Sequence, residues 1–338
     1  MRRLSTPIDA LISRRNLRLY EVIPWAVAVA VYFAFPEYLP LGAQIIIMVI
    51  FTLSLDLVMG YAGIIILGHA AFFGLGAYAV GLLAVAGWKE PLSGLLFAAA
   101  AAGLLGALTG VVILRTKGLS LLMLGMAVSL ILAQLANRLS SITGGFDGLR
   151  GITIDPIFGV FDFDFFGKTA YLYGLAVLFI AWLFVRQVVH APFGRSLIGI
   201  RENPVRMEAN GAPVQRRKLV AFILSAALAG VAGGLSTQTT QFVSLSTLSF
   251  ELSGTVLVML ILGGAGRLYG AFVAPPLYMI AQDAFAKGDP VYWHFWLGLM
   301  LILVVLFVRG GLLGIIDELR RLLGISAGLA NLKKQDHA

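Results

Sequence analysis

Nucleotide chemistry is the first possibility the residues raise. Gly167-Lys168-Thr169 has the ending of a phosphate-binding loop, in which backbone amides wrap the phosphates and the lysine reaches them. Such a loop needs a glycine five residues before its last glycine, and Asp162, an anion, stands there. The match fails, so any ATP that drives this chain is bound by another subunit. The four histidines, His69, His190, His294 and His337, never fall at the i, i+3 or i, i+4 spacing that turns two imidazoles toward one metal. With no cysteine there is no disulfide, thiolate nucleophile or iron–sulfur cluster either. The residues thus indicate neither catalysis nor a cofactor bound by this chain.

Ionisable groups inside apolar runs say more. On insertion scales a charge at mid-bilayer costs about 2.5–3.5 kcal/mol, so such a group faces a cavity or a partner. Asp56, His69, Glu251 and Asp283 qualify. Asp56 precedes Gly60 by four residues and His69 follows the same glycine-rich turn, so the two can meet at one helix break. There they either line a solute path, beside backbone groups that take a zwitterion's carboxylate or ammonium, or pair to hold the helices together. Glu251 and Asp283 fall near the ends of their runs, where a side chain reaches water.

Outside the apolar runs, the segment 190–218 carries the sharpest local signal. Asn203 suits a helix N-cap, Pro204 its first position, and Gly211 after Asn210 its stop. Between them Val205-Arg206-Met207-Glu208-Ala209 makes one short helix with too few apolar residues for a core. It is either a docking tip, with Val205, Met207 and Ala209 as apolar contacts and Arg206 and Glu208 setting orientation, or a solvated turn.

The elements that hold these residues are membrane helices. Of 338 residues 59% are hydrophobic and 12% charged, about half the charge of an ordinary soluble domain. The excess apolar surface needs a bilayer, and spans of roughly 20 residues cross it. The runs predict an all-α polytopic bundle of about ten transmembrane helices: 20–38, 41–59, 61–87, 92–114, 118–136, 169–189, 219–241, 251–266, 268–286 and 292–308. The segments near Gly60–Gly76 and Gly263–Gly270 read as glycine-broken, spanning or re-entrant. With the N-terminus inside, 20 of the 25 lysines and arginines fall on the inner side, as the positive-inside rule asks. That accounts for the net charge of +8 without nucleic acid. The chain then divides into a cytoplasmic tail (1–19), a membrane domain (20–308) with an outer loop (137–168) and the inner loop (190–218), and a cytoplasmic tail (309–338). Gly60-Tyr61-Ala62-Gly63 and Gly263-Gly264-Ala265-Gly266 hint at an internal repeat.

Several stretches together resemble the permeases of branched-chain amino-acid ABC transporters, most of all the larger, M-type subunit. They are Gly60-Tyr61-Ala62-Gly63, Leu67-Gly68-His69-Ala70-Ala71-Phe72-Phe73-Gly74-Leu75-Gly76-Ala77-Tyr78 and Gly144-Gly145-Phe146-Asp147-Gly148-Leu149. Phe193-Gly194-Arg195-Ser196-Leu197, Ile200-Arg201-Glu202-Asn203, Lys218-Leu219-Val220-Ala221-Phe222 and Leu262-Gly263-Gly264 follow in order. The resemblance covers about residues 40–310. It departs at Asp56, where asparagine is usual, at Ile66, where serine is common, and at Pro204 and Pro275-Pro276.

The resemblance implies an importer of hydrophobic amino acids in a bacterial cytoplasmic membrane; relatives carry urea, short amides or aromatic acids. It implies a second homologous permease, two ATP-binding cassette subunits that hydrolyse ATP, and a periplasmic or extracellular substrate-binding protein. Asp56, Gly63, Gly68, His69, Gly263 and Gly264 would belong to the substrate path. Arg201, Glu202, Asn203, Val205, Arg206, Met207 and Glu208 would form the coupling element. Gly144, Gly145, Asp147 and Gly148 would serve docking or gating outside. The competing reading is a secondary transporter that couples Asp56 or His69 to an ion gradient.

Overall fold

A computed structural model describes residues 22–157, 159, 161, 162, 167–307, 311, 312 and 314. The expected tails therefore lie outside the described residues, apart from those last three. Thirteen α-helices are described: α1 (Ile23–Ala34), α2 (Leu39–Leu55), α3 (Ala70–Val85), α4 (Pro91–Ile113), α5 (Leu119–Arg138), α6 (Ser140–Thr143), α7 (Lys168–His190), α8 (Pro192–Glu202), α9 (Pro204–Ala209), α10 (Val214–Thr240), α11 (Phe250–Gly263), α12 (Gly270–Gly288) and α13 (Trp293–Phe307). Among the described residues β-structure is limited to two isolated bridges.

Each of the ten expected runs contains a helix. Among the described residues, five stretches are long and apolar enough to cross a membrane alone: Pro36–Tyr61, Pro91–Ile113, Leu119–Arg138, Lys168–His190 and Val214–Thr240. Leu96, Leu104 and Leu108 on α4 and Leu130 and Ile131 on α5 point outward, which suits a hydrocarbon solvent and not water. The run 61–87 is not one helix. A π-helical turn, Asp56–Tyr61, ends α2, and the chain is irregular until α3 starts at Ala70.

The core forms around α10, which packs on α2, α3 and α4. Small residues set those crossings. A side chain at Gly106 would meet Ala226, one at Gly230 would meet Ala98 and Ala102, and one at Gly234 would meet Val80 and Ala98. The Gly106/Gly110 and Gly230/Gly234 pairs thus serve packing within the bundle. On the far side of α2, helices α11, α12 and α13 share a cluster of Met259, Leu262, Ala274, Tyr278 and Leu297. Trp25 anchors α1 edge-on against Phe179, Trp182 and Phe272.

Loops sort into two ends. At one end the Gly60 and Gly266 turns meet Arg201 of α8, and Gly311 meets Gly264. At the other, Leu149 pairs with Val243, the Asp155 N–H donates to the Lys89 carbonyl at 3.1 Å, and Lys287 stands 4.9 Å from the Tyr38 ring.

Candidate functional site

Two interruptions of helix, one after α2 and one after α11, come together at the end that carries α8 and α9. Asp56 opens the π-helical turn and is only 1% exposed. Its Oδ1 accepts a hydrogen bond from the Gly266 N–H at 2.6 Å, joining the first break to the second across 210 residues. Gly60 has to be glycine here, because a Cβ would overlap Asp56 and the Gly266 nitrogen. The two glycine motifs that suggested a repeat therefore touch.

Arg201, at the end of α8, reaches into the same junction. Its Nη1 donates to the Gly60 carbonyl. Its stem lies against Gly63, where a Cβ would stand 2.6 Å from Cγ, and a Cβ at Gly266 would meet Nη1 at the same distance. Gly63 and Gly266 also have φ of +70° and +78°, a region open mainly to glycine. One arginine side chain thus touches both breaks, while Asp56 bridges them. A charge-assisted bond from a guanidinium to a carbonyl is among the stronger polar contacts. Asparagine at position 56 would keep the bond to Gly266 but lose the charge that faces Arg201.

His69 was expected beside Asp56, and it is held elsewhere. Ser54 Oγ donates to the Phe51 carbonyl at 2.6 Å, so the Ser54–His69 contact of 2.9 Å has His69 Nε2–H donating to Ser54. Ser225 is 3.5 Å from the same nitrogen and donates to the Ser54 carbonyl at 2.5 Å. The ring stacks on Phe51 with centroids 5.5 Å apart and meets Phe72 edge-on. Nδ1 has no hydrogen-bond partner. Next to it the Ala70 N–H, first in α3, donates to Ser253 Oγ at 3.0 Å. Gly68 carries φ of +134° and abuts the Gly125 carbonyl of α5, so it too requires glycine. Ser54, Ser225 and Ser253 carry this deep polar knot, and nothing in the local sequence marks them.

Close glycine contacts also hold the second break. Gly263 backs onto Gly270, and Gly264, with φ of +96°, onto Gly311. Tyr61 crosses from the first break to the backbone of Leu268.

The segment after α7 holds more structure than a loop. Asn203 Oδ1 accepts from the Arg206 N–H at 2.9 Å, and Pro204 starts α9. The Gly211 N–H bonds the Glu208 carbonyl and the Ala212 N–H bonds the Met207 carbonyl, a Schellman stop with Gly211 at φ +78°. Cap, start and stop of this short helix agree with the sequence. The helix α8 before it was missed; Gly194, Ser196, Leu197 and Ile200 are its buried face. The bridge to the next span is also shorter than expected, since α10 begins at Val214. Val205 stands 73% exposed, whereas Met207 folds back on Gly199 of α8 and packs inward. Glu202, Arg206 and Glu208 are exposed.

In the loop 137–168 Gly144 ends α6 at φ +77°, and Gly148, at φ +76°, turns the chain into the Leu149–Val243 bridge. Gly145 is buried, Asp147 is exposed, and Phe146 is 88% exposed. Asp283 pairs with Lys287 at 2.6 Å near the end of α12.

Comparison with known proteins identifies the family. Residues 39–305 match the model of the family described as branched-chain amino acid transport system / permease component. The chain is 30% identical over 300 residues to the high-affinity branched-chain amino acid transport system permease protein LivM of Salmonella typhimurium, covering 81% of this chain and 69% of that one. It is 30% identical over 294 residues to LivM of Escherichia coli, covering 79% and 68%. Against the probable permease LivM of Methanocaldococcus jannaschii it is 25% identical, covering 78% and 89%, and the probable permease LivH of that organism also matches, at 27%. No solved structure matches. The glycine breaks, the outer loop and the α8–α9 pair all lie within the matched span, and the chain belongs to the branched-chain amino acid transport system permease family.

Proposed function

We infer that this chain is the membrane-spanning permease subunit of an ABC importer that carries branched-chain amino acids. One observation supports this above the alternatives: a single side chain, Arg201 of α8, ties the α8–α9 pair outside the apolar layer to both helix breaks within it. A secondary transporter needs no such lever. The α8–α9 pair is the coupling element. An ATP-binding cassette subunit docks on Val205 and the charges beside it, and ATP is hydrolysed by that partner. Motion of α8 then acts through Arg201 on the junction held by Asp56, Gly60 and Gly266, which is the inner gate. Arg201 transmits the push and need not touch the ATPase itself.

The chain crosses the membrane ten times with both termini in the cytoplasm. The charge bias of the loops supports this, as does their separation into two ends. The second permease, related as LivH is to LivM, completes the path, and a binding protein docks on the face that carries Gly144, Gly145, Asp147 and Gly148.

The test is uptake of labelled leucine, isoleucine and valine by the chain reconstituted with its partner subunits. Uptake should require ATP and the cassette subunits; uptake driven by an ion gradient without them overturns the reading. Single cysteines replacing Arg150 and Arg206 in the cysteine-free chain should label from opposite sides.

A further inference from the structure

Depth in the bundle can be read along α3. Leu149 and Val243 lie over Gly81, near its outer end. Thr247 and Leu248 lie on Gly74, Ser129 donates to the Leu248 carbonyl at 2.7 Å, and Ser253 bonds the N–H of Ala70. From 243 to 253 the chain therefore descends beside α3 while α3 rises from 70 to 81. At 1.5 Å per residue Ala70 is about 22 Å below Val85, the last residue of α3. Glu251, two residues before Ser253, sits roughly 20 Å down in an apolar layer about 30 Å thick. Glu251 does stand in the first turn of its helix, near the end of its run as expected, but that end lies deep in the layer. α11 starts deep because the chain before it dips as non-α-helical backbone, including the 3-10 turn Leu245–Leu248.

This descending stretch is polar at Ser244, Ser246, Thr247, Ser249, Glu251, Ser253 and Thr255. Most of the hydroxyls are engaged. Ser244 bonds Ser246, Thr247 the Ser244 carbonyl, Ser249 the Leu252 N–H, and Ser253 the Ala70 N–H. Glu251 is different, since its side chain is exposed on the outward face of α11. Three residues on, Gly254 faces open space, with nothing within 4 Å of where a Cβ would stand. A carboxylate held this deep is too short to reach either interface, and lipid would penalise it heavily. Irregular backbone at such depth is found where it is buried in protein or lines water.

We propose that Glu251 lines the water-filled solute path, on the face this chain turns toward the second permease, and that its carboxylate takes the ammonium group of the amino acid. This rests on the importer reading above. Glu251 supplies the negative charge, and the open space in front of Gly254 leaves room for the solute beside it.

The test uses the complete transporter in membranes, with single cysteines in the otherwise cysteine-free chain. Glu251→Cys should react with a small cationic thiosulfonate, and saturating leucine should slow that reaction several-fold. Ile131→Cys, on the lipid-facing side of α5, is the unreactive control. A Glu251→Cys as inert as Ile131→Cys overturns the proposal, because the side chain then faces lipid or packs against the partner. Glu251→Gln, nearly isosteric, should raise KM for leucine about tenfold, the worth of one charge-assisted hydrogen bond, with the complex recovered in wild-type yield. Unchanged KM overturns the ammonium role. If the unaltered complex takes up no branched-chain amino acid, the importer reading fails, and the labelling still decides whether Glu251 lines water.

Discussion

Two buried polar residues bracket the first helix break, and they are held in different ways. His69, at the deep end, sits in a neutral knot of Ser54, Ser225 and aromatic rings. Asp56, at the shallow end, meets a backbone N–H of the second break, with an arginine from outside the apolar layer beside it. The deep end is fastened by packing and neutral hydrogen bonds between helices α2, α3 and α10. The shallow end adds charge-assisted bonds among glycines to the packing of Leu57, Val58, Tyr61 and Leu268. On the inner-gate reading proposed above, the shallow end moves and the deep end pivots.

The largest effect should come from the pivot. His69→Ala removes a fully buried ring stacked on Phe51 and strands Ser54 beside a cavity, at a cost of about 3 kcal/mol. The purified chain should melt several degrees lower, and uptake should fall with the amount of folded protein. If it melts like wild type and uptake alone is lost, His69 serves transport and the contrast with Asp56 breaks.

Next come changes at the gate. Asp56→Ala leaves the Gly266 N–H without its acceptor, a loss of about 1–3 kcal/mol, and the breaks should part. Asp56→Asn keeps an acceptor oxygen at the same place, so the fold should hold and any change should appear in the coupling of ATP hydrolysis to uptake. Equal loss of stability in both variants would show that charge, and not the bond to Gly266, closes the gate. Arg201→Ala should assemble with its partners and hydrolyse ATP while uptake drops. An Arg201→Ala complex with wild-type uptake removes the lever from the mechanism.

How much of this was legible follows from the range of each interaction. The caps of α9 are local: Asn203, Pro204 and Gly211 each act within four residues, so the sequence alone located the helix. The glycine breaks were legible too, because glycine runs interrupt apolar ones. Contacts across 141 and 210 residues, Arg201 with Gly60 and Asp56 with Gly266, leave no local trace. Asp56 and His69 looked like neighbours because only thirteen positions separate them in number, yet the chain between them runs back along α2 to Ser54. The helix α8 was hidden by its charges, although Leu197 and Ile200 at i, i+3 after Pro192 were the available sign. The depth of Glu251 depended on a dip that no hydropathy window records.

The smallest effect on stability, and the sharpest on assembly, is expected at the tip of α9. Met207 and Val205 looked equivalent as apolar contacts for a partner, and the fold separates them. Met207 packs on Gly199, so Met207→Asp would loosen α8 from α9 and mix folding with docking. Val205 is 73% exposed in the first turn of the helix, so Val205→Asp removes no internal contact. An acidic residue in a helix's first turn is tolerated or slightly favoured by the dipole, by a few tenths of a kcal/mol. The melting temperature of the isolated chain should therefore stay at the wild-type value. Docking is another matter, because a carboxylate pressed into an apolar groove on the ATPase loses its hydration without a partner. Co-purification of the cassette subunits should fall sharply for Val205→Asp. Asn203→Ala, which loses a cap worth about 1 kcal/mol, should reduce it less. Full recovery of the complex with Val205→Asp would mean that α9 is a solvated turn, and the lever through Arg201 would then lack a hand to move it.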